Sequence, residues 1–457
     1  EVETPIGLSI LIDYRVRSSQ LIPTQNARPV TCLLPTMAMF FNLDGDFNGF
    51  NQAKIIYAPD GITKEQASSH IDHLFRCHAS LRMRYDIPQN EFKIDSAFNI
   101  APVVLQELEV NNDNVLDQLK HLADELDPTS IGGMLTARWL KFDNGKNAIA
   151  LVVHHFAVDV VSWVIILDFL NEILAGKNPE PEISMFDWSE ELFSLTANGR
   201  FDDQVLFWNT QLAGSEDESS GDRKSFYEGG SSKVQKKIQS VSAEYLSASA
   251  VAGETSPLEI LLAAFSMTLS EYSPINSNEK YKTIMLEGHG RMGDADLAGV
   301  VGWLTCVYPL SLPKLAQYDD PISHLSIVMD SMRRIPDSGV GFGALKSFGG
   351  YFVNHKMPEI GFNYLGQMTA AKKLTIGQKW IDSEFGLLAA HQPNKQPRLN
   401  AIDFNMFFGL DANLEFNIVY DHQMIKENQI NDFLIQFEIN LNRACEAVIN
   451  IQDQPLP

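Results

Sequence analysis

Cysteine is scarce in this 457-residue sequence, which contains four. Cys32, Cys77, Cys306 and Cys445 lie far apart, with no CxxC pair among them. This pattern fits reduced thiols in the cytoplasm better than a disulfide framework or a zinc site. We therefore expect a cytoplasmic protein without a metal site.

Basic residues are also few. The 35 Lys and Arg stand against 58 Asp and Glu, which gives a formal net charge of -23. A protein that binds a nucleic-acid backbone or an anionic membrane needs a basic face, so neither partner is expected. No apolar run is long enough for a membrane span, since two histidines and Asp159 interrupt the region around 147–171. There is no signal peptide, and the first residue is Glu1 rather than Met, so we expect an excised piece of a longer protein.

The remaining composition is typical of a folded globular protein, with 45% hydrophobic and 20% charged residues in a chain long enough for two or three domains. Residues 1–28 indicate a strand or lead-in arm, and the polar, acidic stretch 214–232 indicates a solvated linker. Both halves of the chain run in the order strands, helix, strand with an ionisable end, helix. We therefore predict two similar α/β lobes that face each other, one over 1–182 and one over 183–457.

Apolar periodicity predicts the secondary structure on which the rest of the interpretation depends. Thr63 and Gln66 form a capping box at the start of one helix, and Pro257 stands in the first turn of another. The predicted helical segments cover 33–41, 63–78, 113–125, 160–174, 188–212, 257–272 and 426–448, and the predicted strands include 53–58, 134–142, 148–153, 233–241, 282–286, 400–409 and 414–420.

The region that organises the chain is 148–174, where a strand ends on His154 and His155 and a helix starts after Asp159. Imidazole titrates near neutral pH, so a histidine at a strand end can move a proton. A hydrogen-bonded core histidine is an interpretation of equal weight. Asp159 either caps the helix or pairs with a buried arginine. Arg82 is the candidate partner, and a solvated Arg82 is the alternative.

The strand at 282–286 also ends in ionisable residues. They form the sequence Glu-Gly-His-Gly-Arg at 287–291, whose glycines allow a tight turn and a close approach to a ligand. We expect this segment and 154–159 to meet between the lobes. Three further motifs follow along the chain: V-G-W-x-T-x-x-Y-P at 301–309, P-x-x-G-x-G-F-G at 336–343 and F-N-Y-L-G-Q at 362–367.

Together these motifs resemble those of the epimerization domains of nonribosomal peptide synthetases. Such domains belong to the condensation-domain superfamily, which has a chloramphenicol-acetyltransferase-like fold. The superfamily signature HHxxxD is matched by His154–Asp159, and Ser162-Trp163 extends it in the epimerization form. The order and spacing of the motifs agree from about residue 30 to the C-terminus. Val160 stands where the family usually has glycine, and Met292 stands where it usually has a second glutamate.

The resemblance implies an α/β fold of two chloramphenicol-acetyltransferase-like lobes in a V-shaped pseudo-dimer, with the active site in the tunnel between them. It implies epimerization of the Cα of an aminoacyl or peptidyl residue that is held as a phosphopantetheine thioester on a carrier protein. His155 and Glu287 would be the catalytic acid–base pair. Which of the two removes the L-proton stays open, and a single base that serves both faces is the alternative.

The other site residues and the partners follow from the same resemblance. His154, Asp159, Arg291, Asn363 and Tyr364 would support the reaction, while Arg82 and Trp303 would be structural. Arg82 would hold Asp159, Arg291 would support Glu287, and Trp303 would build the floor of the tunnel. Asn363 and Tyr364 would orient the substrate or donate to the enolate oxygen. No bound cofactor is implied, because the phosphopantetheine arm arrives on the peptidyl carrier protein domain of the same synthetase. Adjacent synthetase modules are the other expected partners, and the domain is expected to be monomeric.

Two alternatives stay open. A condensation domain shares HHxxxD and joins two thioester-bound acyl groups, but the motifs at 287–291 and 362–367 are not expected in it. A degenerate module that only docks carrier proteins is suggested by Val160 and Met292. A plant-type HxxxD acyltransferase would carry Asp-Phe-Gly-Trp-Gly near its C-terminus, and this sequence has no such stretch.

Overall fold

The structure is a computed structural model. It describes residues 28–30, 32–43, 45–213, 226–272, 281–292, 296–313, 320–353, 355–367, 377–389, 393–409 and 411–452. Two sequence-based expectations fall largely on other residues: 1–27 of the expected lead-in arm and 214–225 of the expected linker lie outside the described residues.

The α-helices of the described residues are α1 (Pro35–Phe41), α2 (Lys64–Cys77), α3 (Val115–Ala123), α4 (Val160–Leu174), α5 (Met185–Ala197), α6 (Val205–Leu212), α7 (Ala243–Ala252), α8 (Pro257–Glu271), α9 (Pro321–Arg333), α10 (Val340–Ser347) and α11 (Glu427–Gln452). Among these helices, none combines the length and the apolar character that a membrane crossing requires.

The strands of the same residues are β1 (Arg28–Pro29), β2 (Asn51–Tyr57), β3 (Met83–Asp86), β4 (Glu91–Ile94), β5 (Gln106–Val110), β6 (Leu135–Phe142), β7 (Asn147–His154), β8 (Phe226–Tyr227), β9 (Ser231–Ser242), β10 (Tyr281–Gly288), β11 (Cys306–Pro313), β12 (Ile360–Gln367), β13 (Ile381–Asp382), β14 (Pro397–Arg398), β15 (Ile402–Phe408) and β16 (Asn413–Asp421).

The first large sheet has the strand order β13-β2-β7-β6-β5, with β7 at its centre. Residues 148–154 of β7 are buried on both faces of the sheet. Ala148, Ala150 and Val152 pack in a cluster with residues of α3, while the alternate residues of β7 join the main core. A continuous apolar run of this kind is what a strand covered on both faces requires. The central position of β7 therefore follows from its sequence. His154 is the last residue of this strand.

The second large sheet has the order β11-β10-β12-β15-β16-β9. β12 is parallel to both β10 and β15, and the other pairs are antiparallel. One face packs against the helices α8 and α11, where the ring of Phe265 lies 4.9 Å from that of Phe362 and 5.3 Å from that of Phe433. Because side chains alternate along a strand, the opposite face of β12 carries Asn363. Asn363 lies beside Asn405 in register, so two amide side chains stand together on this face of the sheet.

The first sheet also contains a strand from the C-terminal half of the chain. β13 comes late in the sequence, yet Ile381 and Asp382 pair with Tyr57 and Ile56 of β2. The C-terminal half of the chain therefore adds an edge strand to the first sheet. The division into lobes between residues 182 and 183 stays a prediction.

Helix caps account for several of the helix boundaries. Thr63 and Gln66 form the predicted capping box of α2, and Ser256 with Glu259 forms another at α8. Asp159 caps α4 and accepts a hydrogen bond from the backbone N–H of Ser162. Val160 is the first helical residue of α4, and its φ is not positive. The valine that replaces the usual glycine therefore fits this turn without backbone strain.

Candidate active site

His154, the last residue of β7, is fully buried and both of its ring nitrogens are engaged. Nε2 donates to the carbonyl of Phe47 over 2.7 Å, and Nδ1 accepts from the backbone N–H of Phe156 over 3.2 Å. Burial lowers the pKa of His154 to about 4, against the opposing hydrogen bond to Phe47. His154 is therefore a neutral residue that supports the turn, and no ring nitrogen is left for a substrate.

His155 lies between two aromatic rings and stays partly accessible. Its ring stacks on Phe50 with the centroids 4.6 Å apart, and Trp303 lies 4.7 Å away on a tilted plane. Its Nε2 is 2.9 Å from Nε2 of Gln52. Burial lowers the pKa of His155 to about 4, although the negative charge of Asp159 acts in the opposite direction. Trp303 thus packs against the ring of His155. Its place in the floor of a tunnel stays a prediction.

Asp159 and Arg291 form a buried ion pair that joins the two motif segments. Nη1 of Arg291 donates to Oδ2 of Asp159 over 2.7 Å, and Nη2 donates to Oδ1 over 3.1 Å. The side chain of Arg291 is 8% exposed and that of Asp159 is 2% exposed. The backbone N–H of Leu304 donates to Oδ2, and the hydroxyl of Ser162 donates to Oδ1. The prediction that the segments at 154–159 and 287–291 meet is therefore confirmed.

The predicted partners of two arginines are wrong. Arg82 donates through Nη1 to the backbone carbonyl of Asp95, not to Asp159. Arg291 takes the place beside Asp159, and its Nη2 also donates to the carbonyl of Val300, so Arg291 does not support Glu287. The reason lies in the turn after β10, where Gly290 has a φ of 66° and directs the chain back towards Asp159.

Glu287 lies near the end of β10, on the face of the second sheet that also carries Asn363. Nδ2 of Asn363 donates to its Oε2 over 2.9 Å. The side chain is exposed to solvent at its end. Partial desolvation by the surrounding protein atoms raises the pKa of Glu287 to about 7, and the like charge of Asp403 adds to the effect. A carboxyl group with a pKa near neutrality can both accept and return a proton at physiological pH.

A small, mainly apolar pocket adjoins the Glu287 carboxyl group. It is lined by Met39, Met285, Val307, Met357, Leu399, Gly361 and Asn400 in addition to Glu287. Methionine side chains are flexible and fill irregular spaces, so such a wall can adapt to apolar groups of different shape.

Tyr364 does not reach Glu287, in contrast to Asn363. It lies two residues after Phe362 and therefore on the same, helix-covered face of β12. Its ring is perpendicular to that of Phe408 with the centroids 6.4 Å apart, and burial raises the pKa of its hydroxyl. Of the two predicted orienting residues, only Asn363 contacts the carboxylate.

Several residues near the site were not singled out from the sequence. They are Phe50 and Gln52 beside His155, and Asp403 near Glu287. Gln52 had a detectable signal, because it is a polar residue at the start of a strand with the apolar run Ile55–Tyr57, and a buried amide needs partners. For Asp403 no signal existed, since its proximity to Glu287 arises from strand pairing in the second sheet.

The Gly290 turn gives a testable expectation for stability. A Cβ on Gly290 would lie 1.7 Å from the carbonyl oxygen of Leu304, whereas a Cβ on Gly61 would meet nothing within 4 Å. Both glycines have positive φ, at 66° and 79°. In thermal unfolding, Gly61→Ala should therefore cost only the backbone strain of about 1–2 kcal/mol. Gly290→Ala should cost clearly more, because the Arg291 segment must move. Equal losses for the two variants would contradict this.

No group of three or more His, Cys, Asp or Glu suited to hold a metal ion occurs in the described part of the chain.

Comparisons with known proteins show what this chain is similar to. A family model described as condensation domain matches residues 25–452. Nonribosomal peptide synthetase 4 of Gibberella zeae is 26% identical over 451 residues, which cover 93% of this chain and 6% of that protein. Surfactin synthase subunit 2 of Bacillus subtilis is 28% identical over 383 residues, which cover 75% of this chain and 10% of that protein. The chain therefore spans a small part of the length of these relatives.

Two solved structures have the same fold. The epimerization domain from the third module of tyrocidine synthetase B superposes with a TM-score of 0.76 and 18% identity, over 93% of this chain and 98% of that one. The condensation domain from the Monacolin K polyketide synthase MokA superposes with a TM-score of 0.71 and 14% identity, over 92% and 97%. The predicted α/β fold of the chloramphenicol-acetyltransferase type is confirmed. Since the family model covers nearly the whole described chain, the protein belongs to the condensation-domain family.

Proposed function

We propose that this chain epimerizes the Cα of an aminoacyl or peptidyl residue that is held as a phosphopantetheine thioester on a carrier protein. The observation that carries the proposal is Glu287, a carboxyl group that accepts a hydrogen bond from Asn363 and lies beside an apolar pocket. Its raised pKa supports the same role. The motifs that contain Glu287 and Asn363 are also those by which the sequence resembles epimerization domains.

The proposed chemistry needs only proton transfer. The Cα–H bond breaks, its electron pair moves into the enolate of the thioester, and a base takes the proton. A proton then returns to the opposite face of Cα, which gives the D-residue. Glu287 and His155 are the two titratable side chains for these steps, and each well-placed acid or base contributes about 10²–10⁴-fold.

The supporting residues have separate tasks in this scheme. The Asp159–Arg291 ion pair fixes the His155 turn against the Glu287 strand. His154 and Trp303 hold the position of the turn and of the His155 ring. Arg82 contributes to the local structure around Asp95.

The proposed partners are the peptidyl carrier protein domain of the same synthetase and its adjacent modules, and the proposed location is the cytoplasm. The relatives named as peptide synthetases support this, since the chain matches a small part of each. The phosphopantetheine arm would enter attached to its carrier, so the scheme uses no further cofactor.

Condensation is the second candidate. It is favoured by the family match and by the superposition on a condensation domain of similar quality. In that case the His155 turn would serve amide-bond formation, and Glu287 would not change its protonation state during the reaction.

Deuterium incorporation distinguishes the two candidates. An L-aminoacyl or peptidyl thioester on a carrier domain is incubated with this protein in D₂O, and the mass and chirality of the released residue are followed. Epimerization predicts label at Cα together with growth of the D-isomer, both absent from the loaded carrier alone. Peptide-bond formation with a second loaded carrier, without label at Cα, would replace the proposal by condensation. Neither reaction with several loaded carriers would point to a docking module.

A further inference from the structure

A buried chain of hydrogen bonds ends on the ring of His155. Nε1 of Trp163 donates to Oε1 of Gln52 over 2.7 Å, and Nε2 of Gln52 lies 2.9 Å from Nε2 of His155. Trp163 is 1% exposed and Gln52 is 8% exposed, so water has little access to compete for these hydrogen bonds. Gln52 lies on β2 opposite Val153 of β7, and this strand pairing holds it beside the His155 turn.

The directions of these hydrogen bonds follow from the atoms involved. An indole N–H can only donate, so the Gln52 atom that faces Trp163 is its carbonyl oxygen. The atom that faces His155 is therefore the amide nitrogen, which also can only donate. Nε2 of His155 must then accept with its lone pair, and in the neutral ring the proton is on Nδ1.

We propose that Gln52 is a positioning residue that holds His155 as the neutral tautomer with its proton on Nδ1 and its Nε2 lone pair on the Gln52 amide. A proton on Nε2 would point at the hydrogens of that amide, so the hydrogen bond opposes formation of the imidazolium. Flipping the amide would relieve this repulsion only by breaking the bond to Trp163.

The other ionisable groups near His155 do not reverse this preference. Asp159 is the charged group that favours the imidazolium, but it is neutralised by the ion pair with Arg291. His154 is neutral and lies next to His155 in the chain. The faces of the His155 ring are covered by Phe50 and Trp303, which carry no charge. The low pKa that burial gives His155 agrees with the same conclusion.

The tautomer of His155 bears on the choice between a two-base and a single-base reaction, and this step rests on the proposed epimerase function. With His155 neutral and its Nε2 occupied, His155 cannot deliver a proton from Nε2 in this arrangement. Glu287 is then the group that changes its protonation state, taking the Cα proton as a carboxylate and returning one as a carboxylic acid. Of the two routes left open by the sequence, the single-base route is the one that this geometry favours.

The test uses the isolated protein and needs no substrate. Protein with ¹⁵N-labelled histidine is prepared as wild type, Gln52→Glu and Gln52→Leu, and the ring nitrogen shifts of His155 are followed from pH 5.5 to 8. A His155→Ala variant identifies the signals. For the wild type we expect a bare Nε2, a protonated Nδ1 and no titration over this range.

The two Gln52 variants distinguish the effect of the hydrogen bond between Gln52 and His155 from the effect of side-chain packing. In Gln52→Glu the carboxylate can still accept from Trp163 and now stabilises a protonated Nε2, so the pKa of His155 should rise by about 1–3 pH units. In Gln52→Leu the donor is lost at similar volume, and the preference for the bare Nε2 should weaken. A proton on Nε2 in the wild type, or the same titration in all three proteins, would overturn the proposal.

Trp163→Phe gives a second test should the Gln52 variants not fold. It keeps an aromatic ring but removes the N–H that orients the Gln52 amide, so His155 should become a mixture of tautomers. A single unchanged tautomer in folded Trp163→Phe would also overturn the proposal. Because these spectra do not depend on catalysis, an inactive wild type with the expected tautomer would reject the epimerase function and leave the role of Gln52 intact.

Discussion

Replacement of Glu287 by glutamine is expected to slow Cα proton exchange on a carrier-bound thioester at least about 100-fold. The amide has nearly the same size as the carboxylate, and its oxygen can still accept the 2.9 Å hydrogen bond from Asn363. It cannot take up a proton at Cα. The fold should therefore be unchanged and the exchange lost, as measured by mass spectrometry of the released residue after incubation in D₂O.

Glu415→Gln is the matched control for this substitution. Glu415 lies on β16 of the same sheet and pairs with Lys237 over 3.3 Å, so it tests the general effect of a lost carboxylate. Exchange at the wild-type rate is expected for Glu415→Gln. The same rate in Glu287→Gln would remove Glu287 from the reaction.

The pH dependence gives an independent check of the same residue. Partial desolvation raises the pKa of Glu287 to about 7, so at lower pH the group is protonated and cannot act as a base. The exchange rate of the wild type should therefore rise with pH through about 7 and then level off. An ordinary glutamate, with a pKa near 4.3, would already be fully ionised there. The residual rate of Glu287→Gln should lack this rise.

The sequence predicted those features that local physical chemistry determines. Helices α2 and α4 begin at the expected caps, α8 begins at Pro257 as expected, and the buried strand β7 ends at the expected histidine. The helix predicted over 188–212 is wrong, because the chain forms two separate helices there, α5 and α6. α7, α9 and α10 were missed. In α7 the alternation of small Ala and Ser residues gives little apolar periodicity.

The wrong predictions for the site concern which arginine pairs with Asp159 and which face of the sheet carries Tyr364. A sequence contains the charges of Arg82 and Arg291, but only the three-dimensional course of the Gly290 turn decides which of them reaches Asp159. The position of Tyr364 is different, since strand alternation already places neighbouring residues on opposite faces. Asn363 and Tyr364 could therefore not both have faced Glu287 from a regular strand.

Loss of one partner of the Asp159–Arg291 pair is expected to have the largest effect on stability. Arg291→Met leaves a carboxylate that is 2% exposed without its counter-ion, and Asp159→Asn leaves the guanidinium in the same position. Removing one partner of a buried ion pair costs about 3–5 kcal/mol, because the remaining charge stays desolvated. Asparagine is also a good N-cap, so Asp159→Asn should preserve the start of α4. The free energies of unfolding follow from urea titrations.

The double variant decides whether the uncompensated charge is the cause. With Asp159→Asn and Arg291→Met together no charge remains buried, so the loss of stability should be clearly smaller than the sum of the two single losses. Asp117→Ala, which breaks the exposed pair with Lys120, is the control and should leave the urea midpoint almost unchanged. Additive losses in the double variant would mean that each residue acts through its own packing. The pair would then not be what locks the His155 turn to the strand of Glu287, and the link between the two halves of the site would have to be sought in the contacts of Ser162 with Gly302.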